Sequence, residues 1–175
     1  MNEVKKGIEF IKELVLAVLL ALLMVTFIIS HNEIPTGSMI ATINEHDHIL
    51  TNLLPYYYRD PIRGEIVVFR QGDENWVKRV IGEPGDVVDI REGNVYINNQ
   101  RLDETAYLAS EGISEVAHNA AMIFPYKLGD NDYFLMGDNR LHSLDSRYIG
   151  AISRDKIYGK GWIKVYPFNQ IGLLR

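Results

Sequence analysis

Sixteen consecutive uncharged residues, LVLAVLLALLMVTFII from Leu14 to Ile29, constrain this chain more than any other feature. At the α-helical rise they reach roughly 24 Å, a little short of a hydrocarbon core of about 30 Å. Ile8, Phe10 and Ile11 extend the apolar stretch backwards, and Lys12 can snorkel towards headgroups, so a spanning helix over residues 8–29 is expected. Lys5, Lys6 and Lys12 precede the segment, and the first Lys or Arg after it is Arg59. By the positive-inside rule the N-terminus is then cytoplasmic and everything after Ser30 lies outside the cell membrane. Two other readings exist: a cleaved secretory signal, for which no convincing small-x-small cleavage site precedes SHNEIP, and a buried core helix.

The expected organisation is therefore residues 1–30 as cytoplasmic N-terminus and signal anchor, and residues 31–175 as one extracytoplasmic domain of ordinary size. The formal net charge of −5 supplies no basic field for a nucleic-acid backbone, so nucleic acid is set aside as a partner. The chain has no cysteine, which excludes disulfide frameworks, thiol nucleophiles and zinc–thiolate sites. After Ser30 short β-like runs dominate: GEIVVFR at 64–70, NWVKRVIG at 75–82, DVVDI at 86–90, DYFLMG at 132–137 and GWIKVYP at 161–167. NVYINNQRL at 94–102 reads as a hairpin, because Asn98 and Asn99 tolerate the positive φ of a tight turn. SRDKIYG at 153–159 reads as a helical turn entering the last strand, and residues 105–128 as a variable insertion. The fold class expected is mainly β, an antiparallel external catalytic domain behind one transmembrane α-helix.

Chemistry has few candidate centres. EIPTGSMIATI, at 33–43, presents Ser38 in a Gly-Ser-Met turn shortly after the anchor. A serine hydroxyl is a poor nucleophile until a base takes its proton, so the question is which base Ser38 has. Five histidines are present, and a triad of Ser38, His142 and Asp145 is one arrangement. HDH at 46–48 would place two imidazoles on one strand face as a metal fragment, but polar turn residues explain it as well, and no metal is expected. Lys78 is the other base: a two-residue period puts Trp76, Lys78 and Val80 on one strand face, where apolar flanks desolvate the amine. A free lysine titrates near 10.4, and lowering it by two to three units costs the fold about 3 to 4 kcal/mol. On spacing alone a general base and a lysine snorkelling at a strand edge are not distinguished. GEPGD at 82–86 lacks the lysine-serine ending of a phosphate loop and is read as a turn.

PTGSMIAT, RGEIVVF, WVKRVIGEPGD and GDNRLHSLDSRYIG, in this order behind one N-terminal anchor, resemble bacterial type I signal peptidase, a membrane-bound serine endopeptidase with a Ser-Lys dyad. The four blocks span residues 35–150, most of the external domain. The resemblance implies that Ser38 is the nucleophile and Lys78 the general base. It implies that Thr36 joins the Ser38 N–H in the oxyanion hole, and that Ser143 orients the lysine amine. It also implies structural ion pairs near the site, Asp145 with Arg147 and Asp138 with Arg79. No cofactor or metal is implied. The substrates would be secretory preproteins with small residues at the first and third positions before the cut. The lipid bilayer, and the export translocon as a possible docking partner, complete the implied partners. Two departures stand out: Ala41 fills a slot usually held by proline, and Glu65 stands where aspartate is commoner. Neither removes a catalytic group. A non-catalytic relative that binds signal peptides, and a self-cleaving LexA-like protease, are the rival readings, the latter opposed by the anchor. Tyr56, Tyr57, Tyr58 and Trp162 form either an aromatic fringe at the bilayer or ordinary core and loop aromatics.

Overall fold

A computed structural model of the chain describes residues 2–108, 114 and 122–175. One long helix, α1 (Asn2–Phe27), stands apart from everything else. Val4–Phe27 has a mean hydropathy of 2.4 and no part of its most apolar window is buried against protein, so its apolar side chains need another apolar environment. By length and composition this helix is able to cross a membrane. It begins earlier than residue 8 and ends before Ile29, because the chain turns there into a strand that pairs with the globular body.

Twelve strands follow among the described residues: β1 (Ile29–Glu33), β2 (His48–Asn52), β3 (Ile66–Gln71), β4 (Glu74–Gly82), β5 (Val87–Arg91), β6 (Asn94–Ile97), β7 (Gln100–Arg101), β8 (Tyr126–Lys127), β9 (Asp132–Met136), β10 (Ile152–Ser153), β11 (Ile157–Tyr166) and β12 (Gly172–Leu173). They form an eight-stranded sheet in the order β1-β2-β11-β3-β4-β9-β10, with β12 against β11, and a four-stranded sheet β7-β6-β5-β8. Every pairing is antiparallel. The expected fold class, mainly antiparallel β behind one N-terminal helix, is the one observed.

The reason lies in the side-chain pattern. Ile66, Val67, Val68 and Phe69 are all buried, because β3 is central and covered on both faces. Val67 and Phe69 pack with Val80, Leu135 and Ile157, whereas Ile66 and Val68 pack with Ile34, Met39, Ile49 and Val77. A third cluster, including Ile81, Val88, Val95 and Phe134, joins the two sheets. The hairpin is as expected: Asn98 and Asn99 have φ of 51° and 67° and connect β6 to β7. The helical turn before β11 is a 3₁₀ turn, Arg154–Lys156.

One expectation is corrected, and one open reading is divided. His46 and His48 do not share a strand face: His46 sits at φ 62° in the turn before β2, and Asp47 between them points inward to Lys164. The tyrosine run divides, with Tyr56 buried and donating to Glu65, and Tyr57 and Tyr58 exposed. Much of the 105–128 insertion lies outside the described residues.

Candidate active site

Ser38 sits in a 3₁₀ turn, Gly37–Met39, anchored by the fully buried side chain of Met39. The loop after β9 grips this turn. Asn139 donates its backbone N–H to the Ser38 carbonyl (3.0 Å) and its side-chain amide to the Gly37 carbonyl (2.9 Å). Strand β4 approaches from the other side and places the Lys78 Nζ 2.7 Å from the Ser38 Oγ. Both side chains are buried, and the Trp76 ring lies 5.5 Å from the amine. That contact bears out the expected two-residue period. Burial pushes Lys78 down to about 8, against the opposing pull of Asp145 and Asp138. No carboxylate lies within ion-pair distance of Lys78 among the described residues, so the amine's close polar partner is a hydroxyl.

The charged residues form a buried frame. Arg79 donates to both oxygens of Asp138 (2.8 and 2.7 Å), and Arg147 to both oxygens of Asp145 (2.8 and 2.9 Å). Asp138 also accepts from Thr42, four residues after the nucleophile, and Asp145 accepts from the Gly137 N–H. These are the two pairs expected from the sequence. Thr36 directs its hydroxyl to the Ser38 Oγ at 3.5 Å. Ser143 departs from expectation, because its hydroxyl is buried without a hydrogen-bond partner among the described residues and does not bond the lysine. The amine is held by Ser38 instead, and Ser143 is wedged against Gly137, where an added Cβ would meet its Oγ at 2.3 Å.

The alternative base fares differently. His142 lines the same cleft but has no hydrogen bond to Ser38, and both Asp145 oxygens are engaged by Arg147 and Gly137. The Ser38–His142–Asp145 triad is not assembled. His31 and His48 hydrogen-bond each other at 2.8 Å.

Above the dyad runs a cleft of about 750 Å³ between the segment from His31 to Met39 and the first half of β4. Strand β9 pairs with β4 only from Arg79 onward, so residues 74–78 have a strand partner on one side alone among the described residues. The outer edge of β1 is also free of strand pairing among the described residues. Both edges line the cleft.

A family profile described as signal peptidase, peptidase S26, matches residues 7–166. The chain belongs to that family. It is 38% identical over 95% of its length to a probable signal peptidase I-2 of Synechocystis sp., covering 77% of that protein. It is 35% identical to signal peptidase I S of Bacillus subtilis, covering 98% of this chain and 95% of the other. A Staphylococcus aureus relative named an inactive signal peptidase IA is 26% identical over 95% of each chain. Membership in the signal peptidase family makes the chain a serine peptidase that removes signal peptides, and which of its residues perform the cleavage is argued from the site.

Sequence reading missed three members of the frame. Asn139 and Arg140 lie inside a block that was singled out, yet nothing in the pattern set them apart from solvated loop residues. Glu104, buried against Arg140, carries no sequence signal at all.

Proposed function

We propose that Ser38 is the nucleophile and Lys78 the general base of a membrane-anchored signal peptidase that cleaves secretory preproteins. The chain is a hydrolase of the signal peptidase family, and its N-terminal helix fits a membrane anchor. The observation that carries the dyad is the 2.7 Å contact between a buried amine, pushed down to about 8, and a buried hydroxyl in a turn at the cleft floor.

The preprotein lies extended between β1 and β4, its main chain bonding the free edges and alternate side chains entering the cleft. Ile34 and Val77 are buried and line that cleft, so small side chains fit before the cut. The neutral Lys78 amine takes the Ser38 proton as Oγ attacks the scissile carbonyl. The oxyanion is held by the Ser38 N–H and the Thr36 hydroxyl, donors aimed at charge that develops only in the transition state. Lys78 returns the proton to the departing amine of the mature protein. It then deprotonates a water that attacks the acyl carbon, and as the C–Oγ bond breaks it hands that proton back to the Ser38 Oγ, so that the signal peptide leaves as an acid that ionises in solvent and the neutral amine is restored. Once Oγ is acylated it no longer holds the lysine, and Ser143, with its partnerless hydroxyl, orients the amine for this second step. The Arg79–Asp138 and Arg147–Asp145 pairs act as braces.

Residues 1–30 are the cytoplasmic tail and anchor in this reading, and 31–175 the extracytoplasmic catalytic domain in the cell membrane, oriented by Lys5, Lys6 and Lys12. Anchoring brings enzyme and signal peptide into one plane, beside an export translocon that supplies the preprotein. The test is cleavage of a model preprotein in detergent by wild type, Ser38→Ala, Lys78→Met and His142→Ala. The first two variants are expected to lose activity on the order of ten-thousand-fold while staying folded, and the third to keep it. An active Lys78→Met with an inactive His142→Ala would overturn the dyad. A wild type that binds preprotein without cutting it would replace the enzyme by a binding module.

A further inference from the structure

Arg140 is one of the most deeply buried charges in the molecule, at 2% exposure, and the dyad scheme above gives it no part. Both its terminal nitrogens donate to Glu104, which lies just beyond the four-stranded sheet, on the chain leaving β7. One of them also donates to the Ser114 hydroxyl, and its Nε donates to the Gly137 carbonyl at 3.0 Å. Its own carbonyl accepts from Arg147 at 2.7 Å. Tyr107 closes the cluster: its hydroxyl donates to Glu104 at 3.0 Å, and its ring lies 4.1 Å from the Arg79 guanidinium and 6.0 Å from that of Arg140.

We infer that Glu104 and Arg140 are a positioning pair for the cleavage reaction, through which the chain leaving the smaller sheet sets the loop that holds the nucleophile's turn. The inference rests on the Ser38–Lys78 reading. The route is short and covalently continuous. Arg140 fixes Gly137 by its carbonyl, and the intervening Asn139 grips the Ser38 and Gly37 carbonyls. There is no slack at this contact, since a Cβ on Gly137 would come within 2.3 Å of both the Ser38 carbonyl oxygen and the Ser143 hydroxyl. A shift of this loop therefore moves Ser38 relative to Lys78, and misplacement of reacting groups by about 1 Å can cost on the order of 100-fold in rate.

The pair also sets charge. Asp138 and Asp145 on this loop act on Lys78, Arg79 on its own strand neutralises the first, and Arg147 in the following turn neutralises the second. His142 and Glu74 stand on the cleft rim. Arg140 lies within the field of Asp138. Removing the Glu104 charge leaves Arg140 uncompensated beside Asp138, which disfavours a protonated Lys78. Removing the Arg140 charge does the reverse.

The experiment is preprotein cleavage across pH by the full chain in detergent, with kcat taken per folded molecule, for wild type, Glu104→Gln, Arg140→Gln, the double variant and Glu104→Asp. Ser38→Ala is run beside them, so that a failure of the dyad reading is seen separately. Glu104→Gln is expected to lower kcat about 10- to 100-fold with KM within about threefold. The acid limb of the profile should move to lower pH in Glu104→Gln and to higher pH in Arg140→Gln, and return in the double variant. Wild-type kcat in Glu104→Gln, or acid limbs that move the same way in both single variants, would reduce the pair to a brace of the fold. Should the Gln variants not fold, Glu104→Asp decides: it keeps the charge but shortens the reach, so reduced kcat at unchanged KM supports positioning and wild-type kcat overturns it.

Discussion

The molecule buries two strand lysines in the same sheet, and their surroundings differ in one respect. Lys164 on β11 is 7% exposed, forms an ion pair with the buried Asp47 and donates to Gln170 at 3.3 Å. Lys78 on β4 is 4% exposed, and its close partner is the Ser38 hydroxyl. Burial is thus common to both, and the partner decides the chemistry. Lys164 has a carboxylate at contact, whereas Lys78, beside a hydroxyl and 5.5 Å from the Trp76 ring, has none, which leaves desolvation free to favour the neutral amine that a general base requires.

Exchanging each lysine for methionine breaks this comparison most sharply. Lys78→Met should abolish preprotein cleavage, on the order of ten-thousand-fold, and leave thermal stability equal or raised, because no buried carboxylate loses a partner at contact distance. Lys164→Met should do the opposite. It strands Asp47 in the interior, costs about 3 to 5 kcal/mol in a denaturant titration, and leaves the activity of the folded fraction near wild type. Equal loss of activity in both variants would refute the distinction.

A pair of glycines tests the same two regions. At Gly137, beside the dyad, an added Cβ would meet backbone and a buried hydroxyl at 2.3 Å, whereas at Gly172, beside Lys164, it meets nothing within 4 Å. Gly137→Ala is expected to lower kcat about 100-fold at unchanged substrate binding, with a stability loss of about 1 to 3 kcal/mol. Gly172→Ala should be silent in both assays.

This asymmetry also explains what could be read in the sequence. Strands announce themselves through short apolar and β-branched runs bounded by turn residues, and the Asn98-Asn99 turn through its tolerance of positive φ, because both depend on local chemistry. Whether a strand lysine meets a carboxylate or a serine does not. Ser38 and Lys78 are forty positions apart, and Glu104 and Arg140 thirty-six, so their contacts are set by sheet order and loop packing. Resemblance across four blocks could name Ser38, Lys78 and the two ion pairs, since those residues lie inside the blocks. Glu104 lies outside them, and the hydrogen bond expected of Ser143 failed because its geometry depends on where the amine points.

The pH dependence sharpens the lysine comparison further. With Lys78 near 8, kcat/KM should fall about tenfold per pH unit below that value, as the amine charges. Stability carries a linked signature. The native value lies below the unfolded one of about 10.4, so this group destabilises the native state below pH 8 and the penalty is relieved as pH rises from about 8 to 10.4. Denaturant titrations across that window should show a rise of about 3 kcal/mol in wild type relative to Lys78→Met. Equal slopes in the two proteins would place the Lys78 amine in solvent-like surroundings.

The smallest effect is expected at Ala41, the slot where proline is usual. The turn after Ser38 is already fixed: the Met39 carbonyl accepts from the Thr42 and Ile43 N–H groups, and the Thr42 hydroxyl donates to Asp138. The Ala41 N–H takes no part in these bonds and its side chain is exposed, so proline there removes no hydrogen bond and displaces no core atom. What it changes is the unfolded chain, which loses conformational freedom worth about 0.4 to 1 kcal/mol. Ala41→Pro should therefore raise the melting temperature by a few degrees and leave kcat within about twofold of wild type. A larger change in kcat would mean that the turn carrying Ser38 is held less firmly than its bonds to Met39, Asp138 and Asn139 imply, and that the lysine's hydroxyl partner is itself mobile.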